Sequence, residues 1–230
     1  MKELAPTEAV LLDIDGTLLD SNDAHARSWA DVFSRHGLPP TFEQVRPLIG
    51  KGGDKLLAEL VGVDHESLQG KQLGDERREL FLKQYLPRLK PTPGARELVQ
   101  RLRDDGIKVV IATSAKGQEL QALLRQAGVE DLIEEATTSD DAEQSKPDPD
   151  IVHAALQRAR VQPVEAMMVG DTPYDVEAAR AAGVDTIALR CGGWWDDAAL
   201  AGAVALYDHP AALVRAWQAS PIYRRRIPGG

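Results

Sequence analysis

The sequence predicts an α/β fold, a doubly wound parallel sheet that carries an inserted helical unit. Three observations predict it. Short apolar runs alternate with helical periodicities, the pattern of parallel strands covered by helices on both faces. The connection between the first two strands is far longer than a crossover needs. The apolar runs also end in chemically capable side chains, where open sheets of this class place their ligands.

Four segments read as buried strands: Ala9 to Asp13, Ile107 to Ala112, Ala166 to Val169 and Thr186 to Leu189. Between them, apolar residues recur at helical spacing in Ala95, Leu98, Val99, Leu102, in Leu120, Leu123, Leu124, Ala127, and in Val152, Ala155, Leu156, Ala159. Gly106 and Gly128 follow the first two patterns and mark helix C-termini, because glycine enters the left-handed region at little cost. A βαβ unit takes about 30 residues, yet roughly 90 separate Asp13 from Ile107. The helix after Pro93 suffices as the crossover, which leaves residues 21–90 as the insert. That stretch is helical in pattern (Ala26, Trp29, Ala30, Phe33, then Gly37), and its exits, residues 20–23 and 90–94, are rich in turn formers. Residues 1–20 and 91–230 then form one core. A helical insert on two adjacent hinges, beside the end of the first strand, is a lid.

Composition excludes several classes. The 43% hydrophobic and 27% charged content is that of a soluble globular chain. No run approaches the roughly 20 apolar residues that span a bilayer. The opening residues lead directly into the first strand and leave no room for a signal peptide. The single cysteine, Cys191, excludes an intrachain disulfide and a cysteine zinc site and reads as a packed or loop thiol. These features predict a cytoplasmic chain, with a monomer as the default. A net charge of −9 argues against nucleic-acid binding, and Arg224-Arg225-Arg226 reads as a solvated tail.

The strand ends assemble a constellation for phosphate chemistry. Asp13 is the candidate nucleophile, a carboxylate able to accept a phosphoryl group. Asp15 protonates the leaving oxygen and then deprotonates water. Asp13, Asp171 and the main-chain carbonyl of Asp15 are expected to hold Mg2+, with Asp175 acting through water or beside them. Gly16 permits a sharp turn beneath the phosphate. Thr113 offers a hydroxyl and Ser114 an amide to phosphoryl oxygens. Lys146 neutralises developing charge and keeps Asp13 ionised, and Pro147 directs it. Structural readings stand beside these. Thr113 and Ser114 suit a helix cap, and Asp171 and Asp175 suit a cap and first-turn acid. Lys116 is the rival lysine. The loop Gly50-Lys51-Gly52-Gly53-Asp54-Lys55 faces substrate through Lys51 or is only a turn, and Trp194-Trp195 borders the entrance or packs a loop.

Asp13-Ile14-Asp15-Gly16-Thr17, Thr113-Ser114, Lys146-Pro147 and Gly170-Asp171-Thr172-Pro173-Tyr174-Asp175, in this order over nearly the whole chain, resemble the four motifs of the haloacid dehalogenase-like hydrolase superfamily. The insert resembles the small cap domain of the phosphoglycolate phosphatase and β-phosphoglucomutase branch. The resemblance implies a Rossmann-like core with a moving cap. It further implies a Mg2+-dependent phosphatase that acts on a small phosphorylated metabolite through an aspartyl-phosphate. His25 falls where that branch carries a hinge histidine, Ser21 where it carries a hinge hydroxyl, and a histidine there also suits plain packing. The mutases of the branch hold a second phosphate with an arginine in the loop equivalent to residues 50–55, and none stands here. A sugar-phosphate mutase is therefore the second expectation and a non-catalytic binding protein on this fold the third. Dehalogenase members dispense with the second aspartate, and Asp15 is present.

Overall fold

The computed structural model describes residues 5–225. Six parallel strands form one sheet in the order β3-β2-β1-β4-β5-β6. They are β1 (Ala9–Leu12), β2 (Lys108–Ala112), β3 (Glu135–Thr137), β4 (Ala166–Gly170), β5 (Asp185–Leu189) and β6 (Ala205–Tyr207). The sequence reading found four of them. It passed over β3 and β6, which are three-residue edges too short and too incompletely buried to print an apolar run.

Alternation along the strands divides the core between two faces. Val10 and Leu12 pack with Leu98, Val99 and Leu102 of α5 (Ala95–Asp104), and Leu123 of α6 (Gly117–Gln126) joins the same cluster. Leu11 and Met168 pack with Val152 and Leu156 of α7 (Asp150–Ala159) and with Ala178 of α8 (Pro173–Ala181). Gly106 and Gly128 take positive φ after α5 and α6, as expected. The register sets Leu12 against Ile111 on one side and Val169 on the other, so Asp13 leaves the sheet level with Ala112 and Gly170, one residue before Thr113.

Between β1 and α5 lie four helices and no strand: α1 (Asn22–Arg35), α2 (Phe42–Val45), α3 (Gly53–Val61) and α4 (Leu68–Leu80). They enclose a cluster of their own, including Trp29, Phe33, Leu56, Leu57, Leu73 and Leu80. The chain leaves and re-enters the sheet side by side. The Asp20 amide donates to the Lys90 carbonyl at 3.0 Å, and the Thr92 amide donates to Leu18 at 3.0 Å.

After β6 come α9 (Pro210–Arg215) and α10 (Pro221–Arg224). The solvated-tail reading of Arg224-Arg225-Arg226 is corrected here. Arg224 ends α10 and Arg225 pairs with Asp185, because Ile222 is buried and anchors this turn to the core. Arg226 and the opening residues 1–4 lie outside the described residues. No helix among the described residues is long and apolar enough to cross a membrane.

Candidate active site

The sheet register delivers Asp13 to a buried lysine. Lys146 Nζ donates to Asp13 Oδ1 at 2.7 Å, to Asp175 Oδ1 at 2.7 Å and to the Ala112 carbonyl at 2.8 Å. All three ammonium protons therefore have an acceptor, and Lys146 is only 1% exposed. Burial works against its charge, yet Asp13 and Asp175 outweigh burial and hold the ammonium protonated. Burial also drives the Asp13 carboxyl well above the usual carboxylate range; Lys146 pulls it back, while Asp175 and Asp171 push it further. Lys116, the rival lysine, stands exposed on the rim.

Asp171 is fixed by two residues that the sequence reading did not assign. Thr17 Oγ1 donates to its Oδ1 at 3.0 Å and Asn22 Nδ2 to its Oδ2 at 2.8 Å. Burial, with Asp175 adding to it, moves the Asp171 carboxyl up to about 8 despite these donors. Gly16 has φ +78°, and a Cβ there would run into Asn22 and Asp171, as would one at Gly192 into Asp171. The glycines thus admit the carboxylate rather than merely bending the chain. Asp175 serves the structural role as well. Its Oδ2 accepts from the Thr172 amide at 3.0 Å and hydroxyl at 2.7 Å, the capping box of α8.

Carboxylate oxygens of Asp13, Asp171 and Asp175 lie within 4.8 Å of one another. Three buried carboxylates meet here, only two of them bonded to the Lys146 ammonium, and their donor atoms are all oxygen, which is the chemistry of a hard divalent cation. Asn22 Oδ1, on the side chain that clamps Asp171, is buried with no hydrogen-bond partner among the described residues. The donor set fits a cation. The Asp15 carboxylate does not belong to this cluster, so the expectation of Asp15 as a ligand rests on its carbonyl alone.

The Asp15 carboxylate turns instead toward the insert. Its Oδ1 accepts from Ser21 Oγ at 2.5 Å and bonds His25 Nε2 at 2.6 Å. Burial would raise this carboxyl, but His25 and Ser21 outweigh it and hold Asp15 below its ordinary value. His25 stacks on Phe81 with centroids 4.0 Å apart, and its Nδ1 meets the Arg77 guanidinium of α4. Arg77 in turn donates to Glu119 of α6 at 2.7 Å. Both ring nitrogens of His25 are thus engaged by protein groups, Nε2 by Asp15 and Nδ1 by Arg77. Arg77 and Glu119 were not legible in the sequence, where each reads as the polar face of its helix.

A cavity of about 350 Å³ opens on Asp13, Asp15, Thr113 and Ser114 and runs up between sheet and insert. Thr113 Oγ1 accepts the Ala115 amide at 3.1 Å and keeps its proton for a ligand. Ser114 lies three residues before α6, whose cap position is Lys116, so it does not cap that helix, and its hydroxyl donates to the Gly50 carbonyl at 3.2 Å. Ser145 binds the same loop, accepting the Gly52 amide at 3.1 Å and donating to Asp54 at 2.5 Å. Lys51 lines the cavity, but its Nζ pairs with Glu59 at 2.5 Å above the Tyr174 ring. Its charge is thereby paired with a carboxylate of α3. Trp194 lies beneath the Arg46 guanidinium and Trp195 meets Tyr174 edge-on; both pack a loop. Cys191 donates to the Gly16 carbonyl at 3.1 Å, and burial lifts its thiol to about 12, which keeps it protonated.

Residues 7–183 match the family model described as haloacid dehalogenase-like hydrolase. The chain belongs to the haloacid dehalogenase-like hydrolases. Within that family it is 31% identical over 206 residues to the phosphorylated carbohydrates phosphatase of Thermotoga maritima, covering 86% of this chain and 93% of that one. It is 31% identical over 189 residues to the phosphoglycolate phosphatase of Pseudomonas putida, covering 80% and 69%. A 35% identical stretch of 189 residues, 79% of this chain, spans only 18% of the Arabidopsis thaliana protein Suppressor of quenching 1, chloroplastic. The crystal structure of a hydrolase from Pseudomonas syringae superposes with a TM-score of 0.85 at 24% identity, over 93% of this chain and 99% of the other, which shows the shared fold. The α/β core of this haloacid dehalogenase-like chain is thus the one its sequence implied.

Proposed function

We propose that this chain is a Mg2+-dependent phosphatase of small phosphomonoesters. The observation that carries the reading is the meeting of Asp13, Lys146 and Asp171 at one cavity floor, with Asp15 beside them. Lys146 occupies one Asp13 oxygen and leaves the other to attack phosphorus. As the Asp13–phosphorus bond forms and the ester bond breaks, Asp15 delivers its proton to the leaving oxygen. The alcohol departs. Water then attacks the aspartyl-phosphate, Asp15 takes its proton, and phosphate leaves Asp13. His25 and Ser21 suit the second half of this cycle, since they favour Asp15 as a base. Mg2+, held by Asp13, Asp171 and the Asp15 carbonyl, would screen phosphoryl charge.

Residues 21–90 serve as the cap in this reading, hinged where residues 18–21 run beside 90–92. Arg77–Glu119, Ser114–Gly50, Ser145–Asp54 and Tyr174–Pro47 are contacts that closure makes and opening breaks. The loop 50–55 offers no arginine for a second phosphate, which favours hydrolysis over the mutase.

Phosphate release from p-nitrophenyl phosphate in the presence of Mg2+ tests the reading. EDTA is expected to silence it and added Mg2+ to restore it, whereas full activity in excess EDTA would remove the metal. A calorimetric measurement is independent of turnover. Asp171 rises from 3.8 to about 8 on folding, so the folded state binds that proton more tightly. Stability is then lost as pH climbs through this window. A bound cation offsets the loss, and Mg2+ is expected to raise Tm more at pH 8 than at pH 5. Equal shifts would count against these carboxylates as the site.

A further inference from the structure

Helix α4 of the insert carries two glycines, Gly70 and Gly74, and the packing around them demands only the first. A Cβ at Gly70 would lie 2.2 Å from the Asp64 carbonyl oxygen, so the entry to α4 requires a glycine there. At Gly74 a Cβ would meet nothing within 4 Å, and the backbone is not in the left-handed region. Among the described glycines of ordinary φ, Gly74 is alone in this. Alanine would fit there and would stabilise the helix, because glycine in a helix interior gives up more backbone freedom on folding. Packing gives no reason for the missing side chain.

The position gives one. Gly74 lines the same cavity as Asp13 and Asp15. Residues three and four apart share a helix face, so Gly74 stands between Lys71 on one side and Arg77 and Arg78 on the other, all of them lining that cavity. Three positions of this face carry long cations and the fourth is bare backbone. The face looks across the mouth at the start of α6. Arg77 donates to Glu119 at 2.7 Å, and Lys116 helps, after Lys71 and His65, to hold Glu66 below its ordinary value. Gly74 falls between these two points of approach. Lys116 has no ion pair among the described residues, so the mouth accepts a charged or a hydroxylated group alike, and what the bare position governs is size.

Arg77 also reaches His25, which bonds Asp15, so Gly74 lies about one helical turn from the residue that abuts the acid of the reaction. We infer that Gly74, given the phosphatase reading on which this rests, sets how large a leaving group the cavity takes: the far end of that group extends into the gap over the α4 backbone. A glycine in a cap helix could instead serve bending. The two uses differ in one respect, because lost space penalises large leaving groups only, whereas lost flexibility penalises all.

The test measures kcat/KM for acetyl phosphate, p-nitrophenyl phosphate and α-naphthyl phosphate, leaving groups of rising bulk, in the parent chain, Gly74→Ala and Gly74→Leu. Gly74→Leu is expected to lower the ratio of α-naphthyl to acetyl phosphate about 10-fold or more, through KM, since a single methylene in a filled pocket is worth that much. Gly74→Ala is expected to shift the ratio less and in the same direction, with acetyl phosphate turned over as in the parent. Each ratio is taken on one preparation, so it is independent of the folded fraction. Both variants should melt no lower than the parent, and Gly74→Ala about 3 °C higher. An unchanged ratio in Gly74→Leu overturns the inference and leaves the phosphatase intact. An equal loss with all three esters gives Gly74 to bending and overturns it as well. A parent chain inactive toward every ester overturns the phosphatase reading and this inference together.

Discussion

Asparagine at position 13 is expected to lower turnover about 10^4-fold or more, the scale seen when a nucleophile is removed. The amide retains the shape and the oxygen that accepts from Lys146, but its nitrogen has no lone pair to offer phosphorus. The fold should survive. Asp13 is a buried carboxylate whose burial and acidic neighbours oppose its ionisation, so losing its charge relieves Asp175 and Asp171 as well. Asp13→Asn is therefore expected to unfold at the same temperature as the parent, or higher, in metal-free buffer. Phosphate release and a thermal melt on one sample check both halves. Residual activity above about one part in a hundred would give the bond-forming role to another group, because electrostatic stabilisation alone leaves far less than that.

The legible part of this molecule follows from what strands demand. A buried parallel strand must be apolar along its body, so Val10-Leu11-Leu12 announced itself, and the acids just beyond it could only lie at the carboxyl end of the sheet. Lys146 and Asp171 were legible through the short motifs in which they stand, Lys146-Pro147 and Gly170-Asp171. The short edges β3 and β6 bury too little to leave such a trace.

The polar network around Asp15 was legible only in part. Ser21 and His25 stood close to Asp15 in the chain, but the ring's engagement on both sides depends on Arg77, 52 residues away. Arg77 looks like any exposed helix residue until α4 folds it over Trp29 and Phe81, with the guanidinium 5.7 and 5.0 Å from their rings. Glu119 is similar, a first-turn acid of α6 that is 3% exposed because the insert covers it. Long-range polar pairs between two hydrophobic clusters have no periodicity. They become visible only once the clusters are placed.

Lys146→Met is expected to cost about 10^3-fold in kcat, the upper range for removal of one preorganised charge-stabilising group. The larger consequence lies in pH. Lys146 is the cation that draws Asp13 down against its burial. Without it, Asp13 ionises only at a still higher pH, and the nucleophile is protonated, hence silent, over more of the acidic range. The residual activity of Lys146→Met should therefore climb with pH where the parent's has levelled off. Breaking a buried ion pair by deleting one partner costs about 3–5 kcal/mol when the other stays charged. Here Asp13 escapes part of that cost by holding its proton, so the stability loss should grow as pH rises. Combining the two substitutions separates these effects. In Asp13→Asn/Lys146→Met the buried carboxylate facing the lost lysine is reduced to Asp175, and the double variant should be more stable than Lys146→Met alone at pH 8. A pH-independent loss in Lys146→Met, equal in the double variant, would mean that the lysine fills space at this strand end and does not govern the charge of Asp13.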